Sequence, residues 1–238
     1  MIKNISIFVD FDGTIAQQDV GDELFKKFGT FEPYNSQLKN GDINIHKYWK
    51  ILCNSLPPDL NLDILYSFID KIDIDPYFID FANYTKENSF PITILSDGFD
   101  IYIDRILNNN SLQWINFYSN KLKKSNNNNF TPIFPGASES CKCFCASCKR
   151  NKLLNLSNDD DIIVYIGDGY SDFCCANHSD IIFAKKSLAS YCNENKIPHY
   201  PFKTFFDVKR IMIDFIKKNK YKKRNLPTIQ TKRAFESE

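Results

Sequence analysis

The chain has 238 residues, 43% of them hydrophobic and 15% aromatic, with a formal net charge of +1. That length admits one large domain or a domain carrying an insert, with apolar material enough for a sizeable core. The near-neutral charge argues against a strong electrostatic drive toward nucleic acid or an anionic membrane surface, and no apolar run approaches the length of a membrane span.

In chain order, Met1-Ile2-Lys3-Asn4 runs straight into the apolar stretch Ile5-Ser6-Ile7-Phe8-Val9. This leaves no room for a secretory leader, so a cytoplasmic protein is expected. The apolar stretch reads as a buried strand and ends in Asp10-Phe11-Asp12-Gly13-Thr14. Two carboxylates just past a buried strand are costly unless a cation compensates them. Gly13 lets the backbone turn sharply and Thr14 adds a hydroxyl. The arrangement suits a carboxylate nucleophile, a neighbouring acid/base and a divalent metal, which makes phosphoryl transfer the first hypothesis.

From residue 16 to residue 73 no strand is convincing, but residues 22–28, 45–52 and 60–69 have helical spacing, the last with Pro57-Pro58 placed to start it. This interval reads as a helical cap, 16–73, inserted into a core made of 1–15 and 74–217. Four further segments read as strands: 92–95, 115–118, 162–166 and 181–184. Helix-like stretches cover 75–88, 100–107, 148–156, 171–176, 188–195 and 205–217. Strand and helix alternate, which predicts an α/β fold with a Rossmann-like parallel sheet. A second insertion is expected between Leu122 and Cys148, carrying the polar Asn126–Asn129 run, and residues 218–238 read as a flexible tail.

In an open parallel sheet, functional groups gather beyond the carboxyl ends of the strands. Here Asp10 and Asp12 end the first strand, Ser96-Asp97-Gly98 the second, and Gly167-Asp168-Gly169-Tyr170-Ser171-Asp172 the fourth; Lys149 opens the helical stretch before the fourth. Singly, each has a plain alternative. Asp97-Gly98 and Asp168-Gly169 are ordinary turns, Ser171 can cap a helix, and Lys149 can be a solvated lysine. Acids and glycines at three strand ends plus that lysine point jointly to catalysis.

Those four segments resemble, in order, the four signature motifs of the haloacid dehalogenase-like hydrolase superfamily, and the helical insertion resembles that superfamily's first cap type. Within it the chain is similar to the phosphoserine-phosphatase-like branch, and closer still to the set related to 2-hydroxy-3-keto-5-methylthiopentenyl-1-phosphate phosphatase. That closer match is carried by Ser96-Asp97-Gly98-Phe99-Asp100, the cysteine-rich segment ending in Cys148-Lys149, residues 167–172, and Phe183-Ala184-Lys185. The resemblance implies that Asp10 is the nucleophile, forming an aspartyl-phosphate, and that Asp12 is the proton donor and later the acceptor. It implies Mg²⁺ held by the Asp10 carboxylate, the Asp12 backbone carbonyl and the Asp168 carboxylate, with Asp172 steadying ligands from behind. Ser96, the Gly98 amide and Lys149 would bind phosphate, with Lys152 the alternative lysine. A second acid at position 12, which the superfamily's dehalogenases lack, favours a phosphatase, with a phosphomutase the alternative.

Asp19 can contact a polar or cationic substrate group, by its spacing from Asp10 in phosphoserine phosphatases, or simply cap a helix. No arginine precedes Arg105 to grip a substrate carboxylate, which lowers phosphoserine among the small phosphorylated metabolites expected as substrates. Cys141, Cys143, Cys145 and Cys148 lie close together. Reduced structural thiols are the first reading, a Zn²⁺ clip the second and a redox switch the third. A non-catalytic metal or redox protein built on these cysteines is the rival function. The oligomeric state is not legible.

Overall fold

The computed structural model describes residues 4–125, 128–137, 145–218 and 221–236. A seven-stranded sheet has the order β4-β3-β2-β1-β5-β6-β7, formed by β1 (Ile5–Val9), β2 (Ile92–Phe99), β3 (Asn116–Lys124), β4 (Phe130–Ile133), β5 (Ile162–Gly167), β6 (Ile181–Ala184) and β7 (Tyr200–Pro201). All neighbours pair in parallel except β3 and β4, which form an antiparallel edge hairpin.

β1 lies at the centre and every one of its residues is buried. Its alternation divides two cores. Ile5, Ile7 and Val9 join the larger cluster, while Phe8 packs on the opposite face with Leu95, Tyr165 and Ile182. A strand covered on both faces must be apolar throughout, which is what the sequence supplies. On the first face, α5 (Phe78–Glu87) packs on α10 (Phe205–Lys217) through Phe78, Phe81 and Phe205. The second face is covered by α7 (Lys149–Leu156), α8 (Phe173–Asn177) and α9 (Lys186–Glu194) through Leu153, Cys175 and Leu188.

Between β1 and β2 the chain forms α1 (Val20–Phe28), α2 (Tyr34–Lys39), α3 (Ile45–Asn54) and α4 (Leu62–Ile69). Asp19, Asn44 and Asn61 cap α1, α3 and α4 by accepting amides at 2.8 Å, so α4 is started by Asn61 rather than by the preceding prolines. The chain leaves and re-enters the core side by side: Ala16 and Ile74 form an antiparallel bridge, flanked by Gln17 N–H to Asp73 O at 3.0 Å and Asp75 N–H to Ile15 O at 2.8 Å.

Two expectations differ from the structure. The stretch after Leu122 is not an insertion from its outset, because β3 runs on to Lys124 and β4 returns beside it. The tail is not wholly flexible: residues 225–236 form α11. The Arg224 guanidinium anchors its start on the carbonyls of Ser179 and Ala176, and the Arg224 amide donates to Asp180 at 2.8 Å. A basic, weakly amphipathic segment gives little sign of such anchoring, which depends on partners 44 and 45 residues away. Among the described residues no helix is long and apolar enough to cross a membrane.

Candidate active site

The strand order reverses about β1, which has β2 on one side and β5 on the other. The crevice beyond such a reversal is where an open α/β sheet presents ligands, and the acids converge there. Asp10 follows β1 directly, and its amide donates to Ile166 O at 2.9 Å, continuing the strand pairing by one residue. Lys149, at the first position of α7, reaches across to donate to Asp10 Oδ1 at 2.6 Å and Asp172 Oδ1 at 2.7 Å. All three side chains are buried. Among the described residues the second Asp10 oxygen accepts no hydrogen bond, while Asp10 lines a cavity of about 570 Å³.

Asp172 is fully engaged. Oδ1 accepts from Lys149 and from the Tyr165 hydroxyl (2.6 Å), and Oδ2 from the amides of Asp168 and Gly169, both at 3.0 Å. Four donors fill a carboxylate's lone-pair sites, so Asp172 orients Lys149 and the Asp168 turn. Asp168 itself accepts from Lys186 at 2.8 Å and, weakly, from Thr14 Oγ1 at 3.4 Å. Gly13, at φ +74°, brings the first loop so close to Asp168 that a Cβ there would collide with its carboxylate.

Asp12 lies on the cavity's other wall. Its Oδ1 accepts the Val20 amide at 2.9 Å, and its Oδ2 accepts from Tyr102 at 2.9 Å and Ser96 at 3.2 Å. Burial, reinforced by the charge of Asp19, pushes the Asp12 carboxyl up to about 7 against these hydrogen bonds. The Ser96 hydroxyl also accepts the Gly98 amide at 2.9 Å, so that amide is used within its own turn. Asp97, whose plain alternative was an ordinary turn, ties the amides of Ala146 (2.7 Å) and Ser147 (3.0 Å) and so fixes the approach to Lys149. Burial raises its carboxyl to about 6 despite these bonds.

Asp19 takes the capping role that its position allowed. It also faces the cavity, where burial, then the charge of Asp22, raises it to about 7. Of the two candidate lysines, Lys152 sits over the Tyr118 ring at 4.2 Å, whereas Lys149 is drawn into the acid cluster. Desolvation works against charge on Lys149, but Asp10 and Asp172 more than offset it, so its ammonium holds its proton more tightly than an exposed lysine.

One oxygen from each of Asp10, Asp168 and Asp172 lies within 4.8 Å of the others, that of Asp172 already taken by its donors. Burial, and then Asp172, hold the Asp10 carboxyl well above its usual range although Lys149 pulls it down. Three clustered acids with one buried ammonium leave excess negative charge, and an all-oxygen donor set of this kind fits a hard divalent cation.

The family described as Putative Phosphatase matches residues 5–199. The chain belongs to that family. This phosphatase is of the haloacid dehalogenase-like, phosphoserine-phosphatase branch, and the non-catalytic rival falls away. It is 29% identical over 208 residues to 2-hydroxy-3-keto-5-methylthiopentenyl-1-phosphate phosphatase of Bacillus cereus, covering 86% of this chain and 94% of that one. Against the protein so named in Brevibacillus brevis it is 30% identical over 215 residues, covering 89% and 96%. In fold it is similar to a substrate-bound phosphoserine phosphatase complex (TM-score 0.67, 17% identity, 89% of this chain and 99% of that one). A phospho-aspartyl intermediate analogue of phosphoserine phosphatase gives a TM-score of 0.64 at 19% identity, covering 85% and 95%.

Of the cysteines proposed as a Zn²⁺ clip in this phosphatase, Cys141 and Cys143 lie outside the described residues. Cys145 is half-buried and Cys148 buried, and nothing supports zinc there. Cys174 is disulfide-bonded, whereas its neighbour Cys175 is a buried free thiol. The sequence reading also missed Tyr102, Asp22 and Lys186, all of which line the cavity. Asp22 lies three residues beyond Asp19, on the same helix face, and was the most findable. Tyr102 and Lys186 gave no signal, because each acts through a contact more than a dozen residues distant.

Proposed function

We propose that this phosphatase is a Mg²⁺-dependent phosphomonoesterase that hydrolyses a small phosphorylated metabolite through an aspartyl-phosphate on Asp10. The observation that carries the reading is the state of Asp10: one oxygen is tied to Lys149, the other accepts no hydrogen bond among the described residues, and Asp10 lines a cavity with Asp12 and Asp168. Asp10 attacks phosphorus, dividing one hard displacement into two easier ones. Asp12, raised to about 7, carries a proton for the leaving oxygen and then takes one from the attacking water. Ser96, the Gly98 amide and Lys149 bind phosphoryl oxygens, the first two by exchanging the bond they make with each other.

Asp10, Asp168 and the Asp12 backbone carbonyl would hold Mg²⁺, with Asp172 steadying the Asp168 turn and Lys149. When bound, the ion screens the anionic nucleophile from the anionic substrate and stabilises charge on the transferring group.

Residues 16–73 act as a cap that selects the substrate. Tyr48, Trp49, Asp19 and Asp22 on its helices face the cavity, with Lys39 and no arginine. Such a wall favours a substrate with an apolar body and hydrogen-bond donors or a positive charge, and disfavours a second anionic group. The relatives' names make a methylthiopentenyl phosphate the first candidate; phosphocholine, phosphoethanolamine and a phosphorylated vitamin follow, with phosphoserine last.

Phosphate release from a panel of such metabolites, supplied at micromolar concentrations, tests the reading. Activity should require Mg²⁺, be lost on chelation, and be abolished in a folded Asp10→Asn variant. Full turnover by that variant would reject Asp10 as the nucleophile, and full turnover in excess chelator would reject the metal.

A further inference from the structure

Asp12 is clamped by three donors, and they are not equivalent. The Ser96 hydroxyl is shared, accepting the Gly98 amide while donating to Asp12 over the longest distance of the three, 3.2 Å. On the reading above, Ser96 turns to a phosphoryl oxygen when substrate binds, and its hydrogen leaves Asp12. Among the described residues the Tyr102 hydroxyl donates to Asp12 alone. The residue is fully buried on the first turn of α6 (Asp100–Asn109), and its hydroxyl donates to Asp12 Oδ2 at 2.9 Å. A buried phenol without an acceptor is costly, so that bond persists. The packing around it is closed: a Cβ at Gly98 would overlap both the Tyr102 oxygen and Asp12 Oδ2.

We propose that Tyr102 is the positioning residue for the proton donor, its O–H fixing Asp12 Oδ2 and stabilising the carboxylate left when the proton departs. The inference rests on Asp12 acting as that donor. In the first half-reaction an Asp10 oxygen bonds to phosphorus as the bond from phosphorus to the substrate oxygen breaks. The electron pair leaves on that oxygen, which takes the proton from Asp12. Asp12 is then anionic, with Tyr102 still donating to it. In the second half-reaction Asp12 takes a proton from water as the water oxygen bonds to phosphorus and the Asp10–phosphorus bond breaks. Phosphate leaves, and both aspartates return to their starting states.

An alkoxide needs that proton, whereas nitrophenolate departs readily without it. The test compares kcat/KM for p-nitrophenyl phosphate with that for the alkyl phosphate the full-length enzyme hydrolyses fastest, in wild type, Tyr102→Phe and Asp12→Asn. This ratio covers steps only through departure of the leaving group, so hydrolysis of the intermediate does not blur it. Tyr102→Phe should lower the alkyl value about tenfold or more, a part of the roughly 10²–10⁴-fold that a well-placed acid contributes, and leave the nitrophenyl value little changed. An equal loss on both substrates, or no loss on either, overturns the proposal. If Asp12→Asn shows no selectivity, the role of Asp12 itself fails; if Asp12→Asn is selective and Tyr102→Phe is not, only the role of Tyr102 fails. Should Tyr102→Phe melt too low to assay, Tyr102→fluorotyrosine keeps the shape and strengthens the donor. An unchanged alkyl-to-nitrophenyl ratio in that variant would overturn the proposal equally.

Discussion

Lys149 Nζ lies 2.6 Å from Asp10 Oδ1, joining the start of a helix on one face of the sheet to the end of its central strand. The lysine is the buried counter-charge of the acid cluster, and Asp172 is its second partner at 2.7 Å. Lys149→Met should therefore abolish phosphate release. It should also destabilise the fold by about 3 kcal/mol, since it removes one partner of a buried pair and strands the others. Urea denaturation reads the second effect; unchanged stability would mean that the pair contributes no net attraction.

Asp172 and Asp10 should separate in their effects. Asp172→Ala leaves a buried ammonium, a phenol and two amides short of an acceptor, and is expected to cost about 3 kcal/mol or more. Asp10→Asn keeps a carbonyl for Lys149 and relieves crowded negative charge, so it should melt at or above the wild-type temperature while inactive. Thermal denaturation of the two variants side by side checks the contrast.

Asp19 offers a cleaner separation of capping from recognition. Asparagine caps a helix about as well as aspartate, so Asp19→Asn should leave the melting temperature unchanged. If the carboxylate meets a donor or cation on the substrate, KM should rise about tenfold for such substrates, the order of one lost charged hydrogen bond, with kcat largely kept. An unchanged KM across the panel would leave α1 capping as its whole role.

His178 predicts a stability change on the acid side. Burial first, and Arg150 second, lower it to about 4 from an ordinary value of 6.5. Above pH 6.5 it is neutral whether folded or not and contributes nothing. As pH falls from 6.5 toward 4 the unfolded chain takes up a proton that the folded chain refuses. Stability therefore declines through that window, by on the order of 3 kcal/mol at most, and levels off below it. Asp12 and Asp19, both raised, act in the opposite direction, so the readout is the difference between wild type and His178→Gln. Parallel stability curves from pH 7 to pH 4 would refute the assignment.

Much of this was legible in the chain. β1, β2, β5 and β6 are announced by nearly continuous apolar runs, since strands buried on both faces cannot alternate. The acids Asp10, Asp12 and Asp168 declared themselves by standing where such runs stop. The edge strands β4 and β7 did not, being short, the first half exposed and the second exposed throughout, and β4 includes Pro132. α2, with none of its residues buried, carries no apolar stripe to read. Tyr102 was hidden for a different reason. A tyrosine among the apolar residues of an amphipathic helix looks like core, and only the folded chain shows that its hydroxyl meets an acid 90 residues away.

The bridge between Ala16 and Ile74 means that the chain crosses into and out of its helical insertion at a single narrow neck. Beyond that neck the insertion rests on the core through Phe25 and Trp49, which pack against Phe99 of β2. On the function proposed above, substrate choice and phosphoryl chemistry would lie on opposite sides of that neck, and a chimera spliced there should keep the Phe99 contacts.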